Sequence, residues 1–149
     1  MDIYKACMEG ETGYVIEYFK KEKAKGKSKG VNMEKGILLI LACERNQIGT
    51  AVALMEMGAD VQAQNNRPMD VASRWGYAEL LKLLIKRGAN IHGWEEEPLR
   101  RASLKGQIEI VEILLEAGAD PSALNHEAER LARQEGCGYT AALLLSYRV

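Results

Sequence analysis

The sequence predicts an all-α solenoid of about five helix-turn-helix repeats, and three sets of positions predict it. Gly58-Ala59-Asp60, Gly88-Ala89-Asn90 and Gly118-Ala119-Asp120 follow one another at intervals of 30 residues, as do Gly76, Gly106 and Gly136. Pro68 and Pro98 keep the same spacing, with Ala128 where a third proline would fall. A period shared by three kinds of position marks stacked copies of one unit that cannot bury its apolar face alone. The register places repeats at approximately 1–31, 32–61, 62–91, 92–121 and 122–149, in a single domain spanning 1–149, with a basic loop at 20–30.

The unit is clearest from Asn66 to Ile91. Pro68 suits a first helical turn, because its fixed φ is helical and its missing N–H would be unpaired there anyway. Gly76 interrupts that helix. Leu80, Leu81, Leu83, Leu84 and Ile85 then give a wide apolar face at helical spacing, with Glu79, Lys82, Lys86 and Arg87 opposite. Gly88 after Lys86-Arg87 is a stop signal: glycine takes the left-handed conformation and the cations oppose the negative end of the helix dipole.

Arg67-Pro68-Met69-Asp70-Val71-Ala72 and Glu97-Pro98-Leu99-Arg100-Arg101-Ala102 stand where the ankyrin repeat has Thr-Pro-Leu-His-x-Ala, and Leu104-Lys105-Gly106 through Gly118-Ala119-Asp120 follows the remainder of that pattern. The chain resembles the ankyrin repeat family over nearly its whole length. Its period is three residues shorter than the roughly 33 of that family. The deletion falls between Gly-Ala-Asp and the proline, so the resemblance implies an ankyrin-type α-solenoid with shortened or absent hairpin fingers, and short turns at 60–66, 90–96 and 120–126. Such shortened repeats are similar to those of large DNA viruses and some bacterial or phage proteins.

The other repeats follow in order. Ile3 to Glu9 and Tyr14 to Lys23 form a degenerate first pair, as an end repeat with one neighbour should. Lys35 to Arg45 and Ile48 to Met57 form the second, with Ala51 and Ala53 small enough for a neighbouring helix to approach closely. Glu97 to Lys105 and Ile108 to Ala117 form the most regular copy. The fifth begins near His126 and runs through Leu143, Leu144 and Leu145; its last helix is either partly exposed or covered, which leaves a homodimer contact through the C-terminal helix open.

The chain has 149 residues, 47% of them hydrophobic, enough for one continuous core. A formal net charge of −1 and a pI near 6.2 give no global attraction to nucleic acid or membrane. Three cysteines, and no apolar leader after Met1-Asp2-Ile3-Tyr4-Lys5, point to a reducing compartment, the cytoplasm, or that of a host if the chain is viral. No apolar run approaches a membrane span.

Between Lys20 and Gly30 stand six lysines and one acid. The first part of this stretch extends the preceding helix, and Lys25 to Gly30, with no apolar anchor, should be mobile. The stretch reads as a solvated linker in preference to a phosphate-binding loop, because it has no arginine for bidentate contacts and no aromatic for base stacking. Gly26-Lys27-Ser28 lacks the earlier glycine of a phosphate loop, since position 21 is lysine. Cys7 and Cys43, each after the repeat alanine, should be buried thiols on adjacent helices whose axes lie too far apart for a disulfide. Cys137, between two glycines, is expected to be exposed. His92 and His126 match no zinc spacing. Glu95-Glu96-Glu97 lies at a helix N-terminus, where the dipole suits Glu96 and Glu97. No nucleophile elbow or phosphate cradle is present, so no catalytic residue, metal or cofactor is assigned.

The family's frame leaves the two tryptophans unexplained. The resemblance implies that the residue before the repeat glycine, and those in the inter-repeat loop, face the concave partner-binding surface. Trp75 belongs to the first class, with Arg45, Lys105 and Glu135 as counterparts; Trp94 belongs to the second, with Gln64 and Leu124. Mostly polar counterparts imply exposure, and exposed aromatics beside arginine are the residue types that dominate interface hot spots. The candidate partner-binding residues are Arg45, Arg74, Trp75, Trp94, Glu95, Leu104, Lys105 and Leu124, flanked by Glu44, Asn65, Gln134 and Glu135. The expected function is a non-catalytic protein–protein interaction module, a stand-alone inhibitor or sequestering factor or an adaptor. The alternative is a nucleic-acid or nucleotide-associated protein using the lysine-rich loop 20–30.

Overall fold

The structure, a computed structural model, describes residues 1–26 and 31–148. Among these there are ten helices and no strand. The chain forms two compact units, Met1–Pro68 and Met69–Val149. In the first, α1 (Ile3–Glu9) packs on α2 (Thr12–Ala24) and α3 (Val31–Glu44), and α4 (Ile48–Glu56) packs on α2 and α3. Helix α5 (Ala63–Trp75) runs from the first unit into the second. The second unit then has α6 (Ala78–Lys86), α7 (Gly93–Leu104), α8 (Ile108–Glu116), α9 (Ala123–Gln134) and α10 (Gly138–Ser146). There α7 packs on α9 in one layer, α8 lies between α6 and α10 in the other, and α7–α8 and α9–α10 contacts join the layers.

The layers follow from residue size and polarity. Leu80, Leu81 and Leu84 are buried on α6 and Ile110, Val111 and Leu114 on α8, while Glu79, Lys82, Glu109 and Glu112 stay exposed. Each such leucine contributes about 1.5–3 kcal/mol by leaving water. The repeat alanines Ala6, Ala42, Ala72, Ala102 and Ala132 are fully buried, where a larger side chain would meet the neighbouring helix. Cys7 and Cys43, beside two of them, are free, buried thiols. Ala51 and Ala53 are buried as their size predicts, and Thr50 reaches the Thr12 hydroxyl at 2.8 Å where α4 meets α2.

The first helix of every repeat ends in the same way. The N–H of Glu11, Gln47, Tyr77, Gln107 and Cys137 donates to the repeat alanine's carbonyl at 2.7–3.0 Å, across a left-handed residue. That residue is glycine except at Asn46, the side chain that tolerates the conformation best. Gly76 is doubly constrained: its φ is +75°, and a Cβ there would lie 2.4 Å from Gln107 Oε1.

The short turns at 60–66, 90–96 and 120–126 take a form the sequence does not announce. Gln64-Asn65-Asn66, Trp94-Glu95-Glu96 and Leu124-Asn125-His126 each form three successive left-handed residues. Their last N–H donates to the carbonyl four residues back, at 2.9 Å for Asn66, 3.4 Å for Glu96 and 3.1 Å for His126. Left-handed backbone costs roughly 1–2 kcal/mol for an ordinary residue and less for asparagine. The approach to each turn is fixed by the Asp or Asn of Gly-Ala-Asp: Asp60, Asn90 and Asp120 accept from the N–H two residues on at 2.8–3.0 Å. Regular helix then starts at Arg67 and Glu97, with Pro68 and Pro98 in the first turn.

Several boundaries differ from expectation. Helix α3 begins at Val31, four residues before Lys35, and α2 begins at Thr12, two before Tyr14. Residues 20–24 are helical as expected, and Lys25-Gly26 form a turn. The rest of the lysine segment, 27–30, and with it most of the expected mobile loop, lies outside the described residues.

Candidate functional site

The side chains singled out in the sequence are at the surface. Trp75 is 59% exposed and Trp94 64%. Glu95, Lys105, Leu124, Asn65, Gln134 and Glu135 are exposed, and Arg74 and Leu104 half-buried. Arg45 and Glu44, in the first unit, are exposed, and Glu44 Oε1 lies 3.6 Å from Arg67.

In the second unit these residues fall into two rows. Trp75, Leu104 and Gln134 are the last residues of α5, α7 and α9, with Lys105 and Glu135 following. Trp94, Glu95, Leu124 and Asn125 lie in the left-handed turns at the opposite, N-terminal ends of the same helices. The regular part of α7, from Glu97 to Leu104, is about 12 Å long at 1.5 Å per residue. The fold therefore makes the tryptophans two rims on either side of the first-helix layer and does not gather them into one centre.

Between the rims runs a lattice of ion pairs. Arg101 donates to Glu97 Oε1 at 2.9 Å and lies 3.3 Å from Asp70 Oδ1, which brings α7 to α5; Arg74 approaches Asp70 at 3.9 Å. Arg100 reaches from α7 to Glu127 of α9 at 2.7 Å and also donates to the Trp94 carbonyl at 3.0 Å. Arg133 and Arg148 both bind the buried Glu129. Half-exposed pairs of this kind add little to stability, roughly 1 kcal/mol or less each. Their geometric effect is larger, because they tie α5 to α7 and α7 to α9. Sequence reasoning missed Arg100, Arg101, Asp70 and Glu127; opposite charges about one repeat apart were the available signal.

The acid cluster beside Trp94 is also rearranged. Glu96, in the first turn of α7 as expected, is buried within the left-handed backbone there and bonded to His92 Nδ1. Asp120 titrates below the usual carboxylate range, chiefly because the Ser122 hydroxyl and then its N–H donate to it.

Neither buried thiol is an activated nucleophile. Burial pushes the Cys7 thiol up to about 11 and the Cys43 thiol up to about 12, away from thiolate chemistry. Cys137 is half-buried where exposure was expected, because its Sγ occupies the space beside Gly106. Among the described residues no group of three His, Cys, Asp or Glu side chains could hold a metal ion. No helix among them is long and apolar enough to cross a membrane.

Paired helices at a constant period, joined by tight turns, define a helical repeat protein. The family description "Ankyrin repeats (3 copies)" matches residues 3–93, and "Ankyrin repeat" matches residues 97–126. The chain belongs to the ankyrin repeat family. Ankyrin repeats are generally protein–protein interaction modules and are typically non-catalytic. A comparison with curated proteins finds no match.

Proposed function

We propose that this chain is an inhibitor or sequestering factor that binds a partner protein through the first-helix face of its second unit, with an adaptor role as the alternative within the same class. Arg74, Trp75, Leu104 and Lys105 form one rim and Trp94, Glu95 and Leu124 the other. The observation that carries the reading is the exposure of Trp75 and Trp94, the residue type most enriched at interface hot spots. The contribution of Arg45, in the first unit, rests on the 30-residue register alone. That register also supports reading 1–149 as a single ankyrin-repeat domain, and the three free cysteines support a reducing, cytoplasmic setting.

The nucleic-acid reading has less support. Of the lysines in the described part of the segment, Lys20 and Lys25 are bonded to Glu17 and Glu22, which reduces the charge available to phosphates. A second copy of the chain is a separate partner, engaged through the C-terminal helix.

A photo-crosslinking residue placed at position 75, 94 or 112 tests the reading in cell extract. Capture of one common protein from 75 and 94, with none from the control at Glu112 on α8, supports it. Capture from 112 alone, or capture of nucleic acid, contradicts it.

A further inference from the structure

We infer that His92 and Glu96 are positioning residues for Trp94: the bond between them, and not the intrinsic preference of the chain, holds the left-handed turn on which that tryptophan stands. The inference rests on the binding role proposed for Trp94 and names what keeps it presented. It begins from a comparison of the three equivalent turns. Gln64-Asn65-Asn66 contains two asparagines, Leu124-Asn125-His126 one, and Trp94-Glu95-Glu96 none. The main-chain bond that closes each turn lengthens in that order, from 2.9 Å at Asn66 through 3.1 Å at His126 to 3.4 Å at Glu96. Asparagine tolerates left-handed backbone best among the side chains present, so the turn that carries Trp94 has the least intrinsic support and the longest closing bond.

That turn is closed a second time through its side chains. His92 Nδ1–H donates to Glu96 Oε1 at 2.5 Å, between the same two residues that the main-chain bond joins, so that a double closure spans Trp94. The equivalent pair one repeat on makes no such bond. There the Ser122 hydroxyl donates to Asp120, and His126 Nδ1 is buried with no partner among the described residues.

Packing does not require a glutamate at this position. Asn66 occupies the same buried place one repeat earlier with a neutral side chain, whereas Glu96, 6% exposed, buries a carboxyl group whose Oε2 is bonded to nothing among the described residues. Burial of that kind is costly for a charged group. A residue type that the fold neither needs nor favours is explained by what it holds, and what it holds is the turn that presents Trp94. An aromatic fixed in this way loses little conformational freedom on association.

Hydrogen exchange and 15N relaxation of the full chain test this. His92 is exposed, so His92→Ala leaves the core intact. It should speed exchange of amides 94–96 by about tenfold or more and lower the order parameter of the Trp94 amide from about 0.85 to below about 0.6, with amides 124–126 unaffected. Adding Glu96→Asn, the residue found at position 66, should restore both readouts; adding Glu96→Ala, which removes the buried carboxyl group without supplying left-handed tolerance, should not. Capture through a photo-crosslinking residue at position 75 should fall several-fold in Trp94→Ala and in His92→Ala, and recover in His92→Ala, Glu96→Asn. Unchanged exchange and relaxation in His92→Ala overturn the proposal, as does equal recovery with Glu96→Ala and Glu96→Asn. A loosened turn with capture intact, where Trp94→Ala abolishes capture, overturns the positioning role and leaves the binding role of Trp94 standing. Capture intact in Trp94→Ala as well overturns both.

Discussion

Arg100 Nη2 donates to the main-chain oxygen of Trp94 at 3.0 Å while Nη1 holds Glu127 at 2.7 Å. One guanidinium thereby pins the left-handed turn that presents Trp94 and ties that turn to the next repeat. On the role proposed for Trp94, a side chain held in one geometry loses less conformational freedom on association, so this contact would bear on affinity as well as on folding. Arg100→Ala should cost about 1–2 kcal/mol, the loss of one half-exposed ion pair and one exposed hydrogen bond at roughly 1 kcal/mol or less each. Hydrogen exchange should then show faster exchange at amides 94–96. Unchanged protection there would mean that the turn holds itself.

Gly76 and Gly136 separate two costs that glycine usually hides together. Both have positive φ, but a Cβ at Gly76 meets Gln107 whereas one at Gly136 meets nothing within 4 Å. Gly136→Ala should cost only the left-handed penalty, about 1–2 kcal/mol. Gly76→Ala should cost more, and Gln107→Ala should recover part of the excess in the double variant. Equal losses at the two glycines in denaturant titration would show that the glutamine gives way freely.

The buried thiols predict an alkaline limb in stability. Cys7 and Cys43 ionise at about 11 and about 12 in the folded chain, against 9.0 ordinarily, because burial disfavours the thiolate. The folded state therefore holds these protons more tightly than the unfolded state. The resulting stabilisation is complete below pH 9 and is lost as pH rises from there through the folded values. Tyr18, pushed up to about 12 by burial and its bond to Glu34, acts the same way above pH 10. Double replacement of Cys7 and Cys43 by alanine should flatten the decline. In native protein near pH 8, a thiol reagent should modify Cys137 first.

The repeat was legible because its markers are local. Glycine, proline, alanine and the leucine spacing each declare a backbone or packing requirement within a few residues, and the helices fall where those markers place them. The left-handed turns were not legible, since Trp94, Glu95 and Leu124 are poor left-handed residues by intrinsic preference and only the hydrogen bonds around them hold that geometry. The exposure of Trp75 and Trp94 could be read from their polar counterparts. Their separation by the length of α7, and the Arg100, Arg101, Asp70 and Glu127 lattice between them, depend on which helices stack side by side and so required the structure.

The claim that the first-helix face binds a partner is tested most directly by calorimetry with the protein captured through positions 75 and 94. Trp75→Ala and Trp94→Ala should each weaken binding by about 2 kcal/mol or more, the cost typical of an aromatic hot spot that the partner desolvates. The thermal midpoint should stay nearly unchanged, because neither side chain is part of the helical core. Unaltered affinity in both variants, or affinity that falls only in step with the midpoint, would contradict the account.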